Sequence, residues 1–299
     1  MITKILFMGR KQISAGLLEF LSTQPDIEIV GVLTDSHLQG SPTTAAAKEL
    51  GLPLYTFDTT LEAMKEGRLK YDLGLSVLYW RKLRDEFLTV PRLGTINFHP
   101  ALLPEYKGTG GYNLAIMDEL SEWGSTAHYV DASIDTGEII EVDRFPIDAA
   151  AETAQSLERK TMQALEPFAQ RIIARAVEAQ AKLPTTPNIG GRYVSRDEME
   201  AMKQIRDGVD VEKKIRAFWF PPYDGAYVEI DGQKYTLINR QLLEEVAPKD
   251  STSLFSGKAN AQHRPLPVAE LHPRRSRRRF PRSLVEQSQL LDRQRMPRI

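Results

Sequence analysis

The chain contains no cysteine in 299 residues. That excludes disulfides, thiolate nucleophiles and zinc sites built on sulfur. Histidine is scarce as well, with five in all, so each imidazole can be weighed singly. No apolar run approaches the ~18 residues needed to cross a bilayer, and the opening MITKILFMGR lacks the apolar core and cleavage site of a secretion signal. These absences predict a cytoplasmic protein with no membrane partner. Nucleotide motifs are missing too. The first strand-to-helix turn, FMGRKQISAG, has Gly9 and Gly16 without G-x-G-x-x-G spacing. A P-loop and a G-x-S-x-G nucleophile elbow are likewise absent. Net charge is nearly absent at −1, but this hides a split. Residues 257–299 hold 11 basic and 3 acidic side chains, against 28 and 37 in the remainder. The acidic body argues against a broad nucleic-acid footprint there.

What is present is apolar material, 41% of the chain, enough for a sizeable core. Buried strands are predicted over 4–8, 27–33, 53–57, 73–78 and 95–99, with helices between them over 10–21 and 41–50. This alternation predicts an α/β fold, a Rossmann-like, mostly parallel sheet with helices on both faces. A helix over 111–120 and strands over 125–130 and 138–145 follow. Leu157, Thr161, Leu165, Phe168 and Ile172 then step by three or four along a longer helix in which Pro167 predicts a kink. The sequence PTTPNIGG at 184–191 reads as a linker. The chain thus divides into a large domain over 1–183 and a small α+β appendage over 192–246, with a hairpin turn at Asp231–Gly232. The appendage is too small to stand alone. A basic tail over 257–299 has the composition of a disordered segment.

Chemistry concentrates in INFHPALLPEYKG and GSTAHYVDASIDTGEII. If 95–99 is extended, Asn97 and His99 leave one face of the strand. Pro100 cannot join a sheet ladder and leaves His99 at the carboxyl edge, where open α/β sheets bind ligands. The glycine-rich loop that follows can bring backbone close to a ligand. His37, His263 and His272 read as structural. His128, two residues after Thr126, reads as a structural or supporting residue that could face the same cleft. Asp135 lies in a turn between two apolar strands, where an Asx turn or helix cap is, from composition alone, the slightly better explanation. An amide, an imidazole and a carboxylate together suit acyl transfer to an amine. His99 would accept the amine proton, Asn97 would hold the oxyanion, and a carboxylate would orient the imidazole and favour its charged form. With no nucleophile in sight, transfer without an acyl-enzyme is the simpler route, and no metal is called for.

At these residues the chain resembles the formyltetrahydrofolate-dependent N-formyltransferases. The shared pattern is Asn97-Phe98-His99, then Leu102-Leu103-Pro104-Glu105-Tyr106-Lys107-Gly108, then Asp135-Thr136-Gly137, on a background covering about residues 4–177. The resemblance implies an N10-formyltetrahydrofolate co-substrate, with its pterin near Leu78, Tyr79 and Trp80 and a pocket completed by Ile134, Gly137 and Ile139. It implies catalysis by Asn97, His99 and Asp135, with the acceptor amine contacted by Tyr106, Lys107, Gly108 and Tyr112. The short appendage with FPPYDGAY is similar to enzymes that formylate a nucleotide-linked amino-deoxysugar. Methionyl-tRNA is the alternative acceptor, and another small amine a third. The apolar stretch at 218–223 would serve a homodimer as readily as an interdomain contact.

Overall fold

The computed structural model describes residues 1–246, and these fall within one compact unit, Met1–Ala247. The basic tail expected over 257–299 lies outside the described residues.

The first half alternates strand and helix: β1 (Thr3–Gly9), α1 (Lys11–Ser22), β2 (Ile27–Leu33), α2 (Pro42–Glu49), β3 (Leu54–Tyr55), α3 (Phe57–Lys65), β4 (Leu73–Val77), α4 (Glu86–Thr89) and β5 (Thr95–His99). β6 (Tyr106–Gly108), α5 (Gly111–Met117), β7 (Glu122–Tyr129), β8 (Ile139–Pro146) and the 26-residue α6 (Ala154–Ala179) follow. The remainder comprises β9 (Arg192–Val194), α7 (Arg196–Met202), α8 (Val211–Ala217), β10 (Tyr227–Ile230), β11 (Gln233–Thr236) and α9 (Arg240–Val246).

Seven strands form one sheet in the order β3-β2-β1-β4-β5-β7-β8. The first five run parallel, and β7 and β8 are antiparallel additions. Strand alternation sends side chains to two layers. Ile5, Phe7, Ile96 and Phe98 pack with Leu17 and Leu21 of α1 and with Leu165, Phe168 and Ile172 of α6. Leu6, Met8 and Leu33 pack on the other face beneath Phe57, Leu61 and Phe87. α6 runs without interruption through Pro167. Its start is fixed by a capping box between Thr153 and Ser156.

Two expectations change. The strand over 53–57 shrinks to Leu54–Tyr55 because Thr56 is a helix cap. Its hydroxyl accepts from the Thr59 amide while the Thr59 hydroxyl accepts from the Thr56 amide. That reciprocal pair commits Phe57 to α3, where its ring stacks on Phe87. The loop after His99 also carries a strand: β6 pairs in parallel with β9, so residues 106–108 and 192–194 are laddered together. A second core around the buried Trp123 draws Leu114 and Leu157 together with Met199, Ile215, Phe218 and Leu242 of the C-terminal segment.

Candidate active site

Register, rather than any single residue, creates the site. One row crosses the sheet as Leu33, Met8, Ser76, Asn97 and His128, each the lateral partner of the next. The row begins under α3 as hydrophobic core and becomes polar where β5 meets β7. His99, two residues beyond Asn97, pairs with Thr126. Thr126 donates to the Ala101 carbonyl at 2.8 Å and accepts from the Leu103 amide at 3.0 Å, bending the chain back over the strand edge. The Tyr106 carbonyl thereby comes to 2.9 Å from His99 Nε2.

Since a carbonyl only accepts, Nε2 carries the hydrogen, and Nδ1 turns toward Asp135 Oδ2 at 3.6 Å. Asp135 sits on the 131–137 turn in the left-handed region, φ +54°, a conformation aspartate adopts more readily than most residues. Its Oδ2 also accepts from the Gly108 amide at 3.0 Å. Asp131 organises the near side of the turn, accepting from the Ser133 amide at 3.0 Å and the Thr136 hydroxyl at 2.6 Å.

His128 belongs to this cluster. Its Nδ1 donates to the Tyr129 carbonyl at 2.8 Å, so Nε2 accepts from Asn97 Nδ2 at 3.0 Å. Burial pushes its pKa down to about 4, His99 adds to the effect, and Asp135 opposes it. The 3.7 Å approach of Nε2 to Asp135 Oδ1 is therefore a contact with a neutral ring and not an ion pair. One N–H of Asn97 is occupied in this way; the other has no acceptor among the described residues.

That pocket, of about 140 Å³, is lined by Ser76, Asn97, His128 and Asp135 at its floor and by Tyr79, Trp80, Asp131 and Ile134 toward its mouth. Arg81 and Lys82 stand at the lip, with the Arg81 guanidinium 4.5 Å from the Phe57 ring centre and 5.5 Å from that of Trp80. The sequence pattern does not single out these two cations, although they directly follow Tyr79–Trp80.

Several expected contacts lie elsewhere. Leu78, at φ +56°, uses its carbonyl to accept from Arg10 Nε and does not line the pocket. Gly137 is packed on the Tyr129 carbonyl, where a Cβ would come to 1.8 Å. Ile139 is buried at the start of β8 and bridged to Thr186. Tyr106 and Tyr112 turn their rings onto Trp123, with centroids 5.4 and 6.2 Å away, so aromatic packing takes them out of the cleft. Burial, with Glu158 nearby, holds the Tyr112 phenol well above its ordinary value. Tyr106 serves through its carbonyl and Gly108 through its amide. Lys107 is buried and donates to the Gly190 carbonyl at 2.8 Å. The stretch 184–191, read as a linker, is thus pinned along the site. Asn188, silent in the sequence, donates from Nδ2 to the carbonyls of Asp135 and Gly137.

No metal-binding group of His, Asp or Glu side chains occurs among the described residues, and no described helix is long and apolar enough to cross a membrane.

Comparison with known proteins bears on the family and the fold. Methionyl-tRNA formyltransferase of Listeria innocua is 28% identical over 248 residues, spanning 79% of this chain and 78% of that protein. The Roseiflexus enzyme of the same name is 26% identical over 260 residues, spanning 81% and 78%. Among solved structures, a 4-N formyltransferase from Francisella tularensis superposes with TM-score 0.65 at 21% identity, covering 79% of this chain and 96% of the other. An N-formyltransferase from Helicobacter canadensis, solved with folinic acid and dTDP-3-aminofucose, gives TM-score 0.63 at 23% identity, covering 78% and 86%. The sequence profile of the formyl transferase family matches residues 19–173, just over half of the chain, and so encompasses β5, β7 and the Asp135 turn. This chain belongs to that family, whose formyl donor is N10-formyltetrahydrofolate.

Proposed function

We propose that the protein transfers a formyl group from N10-formyltetrahydrofolate to a primary amine on a nucleotide-linked amino-deoxysugar, with Asn97, His99 and Asp135 as its catalytic residues. The observation that carries the chemistry is their adjacency: Asn97, held by a neutral His128, and Asp135 line one pocket, and His99, which is not among its lining residues, turns Nδ1 to within 3.6 Å of Asp135 Oδ2. The free N–H of Asn97 would stabilise negative charge on the formyl oxygen as the amine nitrogen bonds to its carbon. His99 Nδ1 would take the proton the amine gives up, and Asp135 would stabilise the imidazolium. The same proton would return to the folate nitrogen as its bond to the formyl carbon breaks. No acyl-enzyme is required. The pocket suits the donor: a half-exposed Trp80 and Tyr79 offer apolar walls to a flat heteroaromatic ring, and Arg81 and Lys82 offer charge to an anionic tail.

For the acceptor, the supporting observation is the make-up of residues 192–246, with 9 basic and 11 acidic side chains. A tRNA-binding domain needs a cationic surface to displace counterions, and this segment has no such excess. Structural relatives include an N-formyltransferase solved with dTDP-3-aminofucose. Methionyl-tRNA remains the second reading, because the sequence relatives named above carry that activity in their names. Incubation with the donor and a panel of amino-sugar nucleotides and charged initiator tRNA, followed by mass, separates the two. The expected result is one added formyl group on a nucleotide-sugar, with binding little affected by salt. Formyl transfer confined to tRNA, with binding that weakens steeply with salt, would overturn the sugar reading.

A further inference from the structure

The turn bearing Asp135 is held from outside by a side chain that belongs to none of the motifs. Between α6 and β9 the chain runs as a strap across the site, fixed at successive points. Thr186 exchanges both backbone hydrogen bonds with Ile139, at 2.8 and 2.9 Å. Lys107 reaches the Gly190 carbonyl at 2.8 Å, and Gly191, at φ +78°, lies so close to the Pro104 carbonyl that a Cβ would come to 1.5 Å. In the middle, the single nitrogen Nδ2 of Asn188 donates to the Asp135 carbonyl at 3.0 Å and the Gly137 carbonyl at 2.9 Å. Both N–H groups of one amide are thereby spent on the two carbonyls that flank Thr136. The orientation of the amide is set by chemistry, since the reverse would press Oδ1 against two acceptors. Oδ1 itself is buried and has no partner among the described residues. A buried acceptor without a donor is unfavourable, so the amide does not owe its place to full satisfaction of its own groups.

We propose that Asn188 is a positioning residue: by clamping the carbonyls of Asp135 and Gly137 it holds the left-handed turn that aims the Asp135 carboxylate at His99 and the Gly108 amide. Asp131 fastens the near side of this turn through Ser133 and Thr136, and Asn188 fastens the far side. Without the clamp, the two carbonyls lose their donors and the turn can relax, which moves Oδ2 away from a 3.6 Å approach to Nδ1 that tolerates little displacement. Asn188 thereby ties the Asp135 turn to the segment that leads to the appendage.

The inference rests on the catalytic reading of Asp135, and the test separates the two. Asn188→Leu keeps the volume and removes both donors, and Asn188→His restores one N–H. Thr185→Val, which breaks only the exposed 2.9 Å bond to Glu138, is the control on the same strap. The expected result is a fall in kcat of about tenfold for Asn188→Leu with KM for the formyl donor little changed, partial recovery in Asn188→His, and an unchanged Thr185→Val. Combined with Asp135→Asn, the Leu variant should cause no further loss, as expected of residues acting as one unit. Amide exchange at Gly108, whose N–H is held by Asp135 Oδ2, should quicken in Asn188→Leu and not in Thr185→Val. Full turnover by Asp135→Asn would overturn the catalytic reading itself. A strongly impaired Asp135→Asn beside a fully active Asn188→Leu, with Gly108 exchange unaltered, would overturn the positioning role alone.

Discussion

The two faces of β5 carry opposite assignments within five residues. Ile96 and Phe98 are buried under α1 and α6, and the Phe98 ring meets Phe168 edge-on at 6.3 Å. Asn97 and His99 point the other way: Asn97 lines the pocket, and His99 meets the Tyr106 carbonyl and the Asp135 carboxylate. One face is held by shape and the other by hydrogen bonds. The lesson is that the strand serves as an anchor: packing on the first face fixes the backbone, so the polar groups on the second stand at defined distances without help from a mobile element.

The comparison breaks most visibly through Asn97. Asn97→Ala removes the donor to the formyl oxygen and is expected to lower kcat by about 10²–10³ with a circular dichroism spectrum and thermal midpoint close to wild type. Undiminished turnover would take the amide out of the mechanism. Its neighbour should behave in reverse. Phe98→Ala leaves a cavity against Phe168 and is expected to cost about 3–5 kcal/mol in denaturant unfolding. A loss under about 1 kcal/mol would mean that the helix-covered face is not the anchor.

His128 links the two faces to pH. Its folded-state pKa, near 4, lies below the ordinary 6.5, so between those values the unfolded chain binds the extra proton. Stability from this group is therefore complete above about pH 6.5 and lost as pH falls toward 4, with a range of about 3 kcal/mol at most. His128→Asn should flatten the unfolding free energy across that interval, and an equally steep profile in the variant would assign the dependence elsewhere. The smallest effect belongs to the outer edge of the sheet. Arg175 reaches Glu141 on β8, which Arg171 also contacts at 2.8 Å, and these side chains are a third to a half exposed. Arg175→Ala should change stability by less than about 1 kcal/mol and leave turnover alone.

How much of this was legible in sequence follows from which interactions are local. Strand alternation and the helix stripe of Leu157, Leu165, Phe168 and Ile172 are readable because burial repeats with the backbone period. The placing of Asn97 and His99 on one face follows from the same rule. What could not be read depends on partners distant in the chain. Tyr106 and Tyr112 have the chemistry of substrate contacts, yet Trp123 claims both rings. Asn188 sits among prolines and glycines that signal a turn, and its partners lie 51 and 53 residues away. Thr56 had a local signal in its capping box with Thr59, but β-branched and aromatic neighbours gave that stretch the look of a strand.

In the proposed reaction His99 manages the proton while the formyl group passes directly to an amine. Tetrahydrofolate release by folded His99→Ala at saturating donor and acceptor tests it most directly. The expected result is a fall of about 10²–10⁴ in kcat with donor binding retained. A variant that is as well folded as the wild type and releases tetrahydrofolate at the wild-type rate would contradict it.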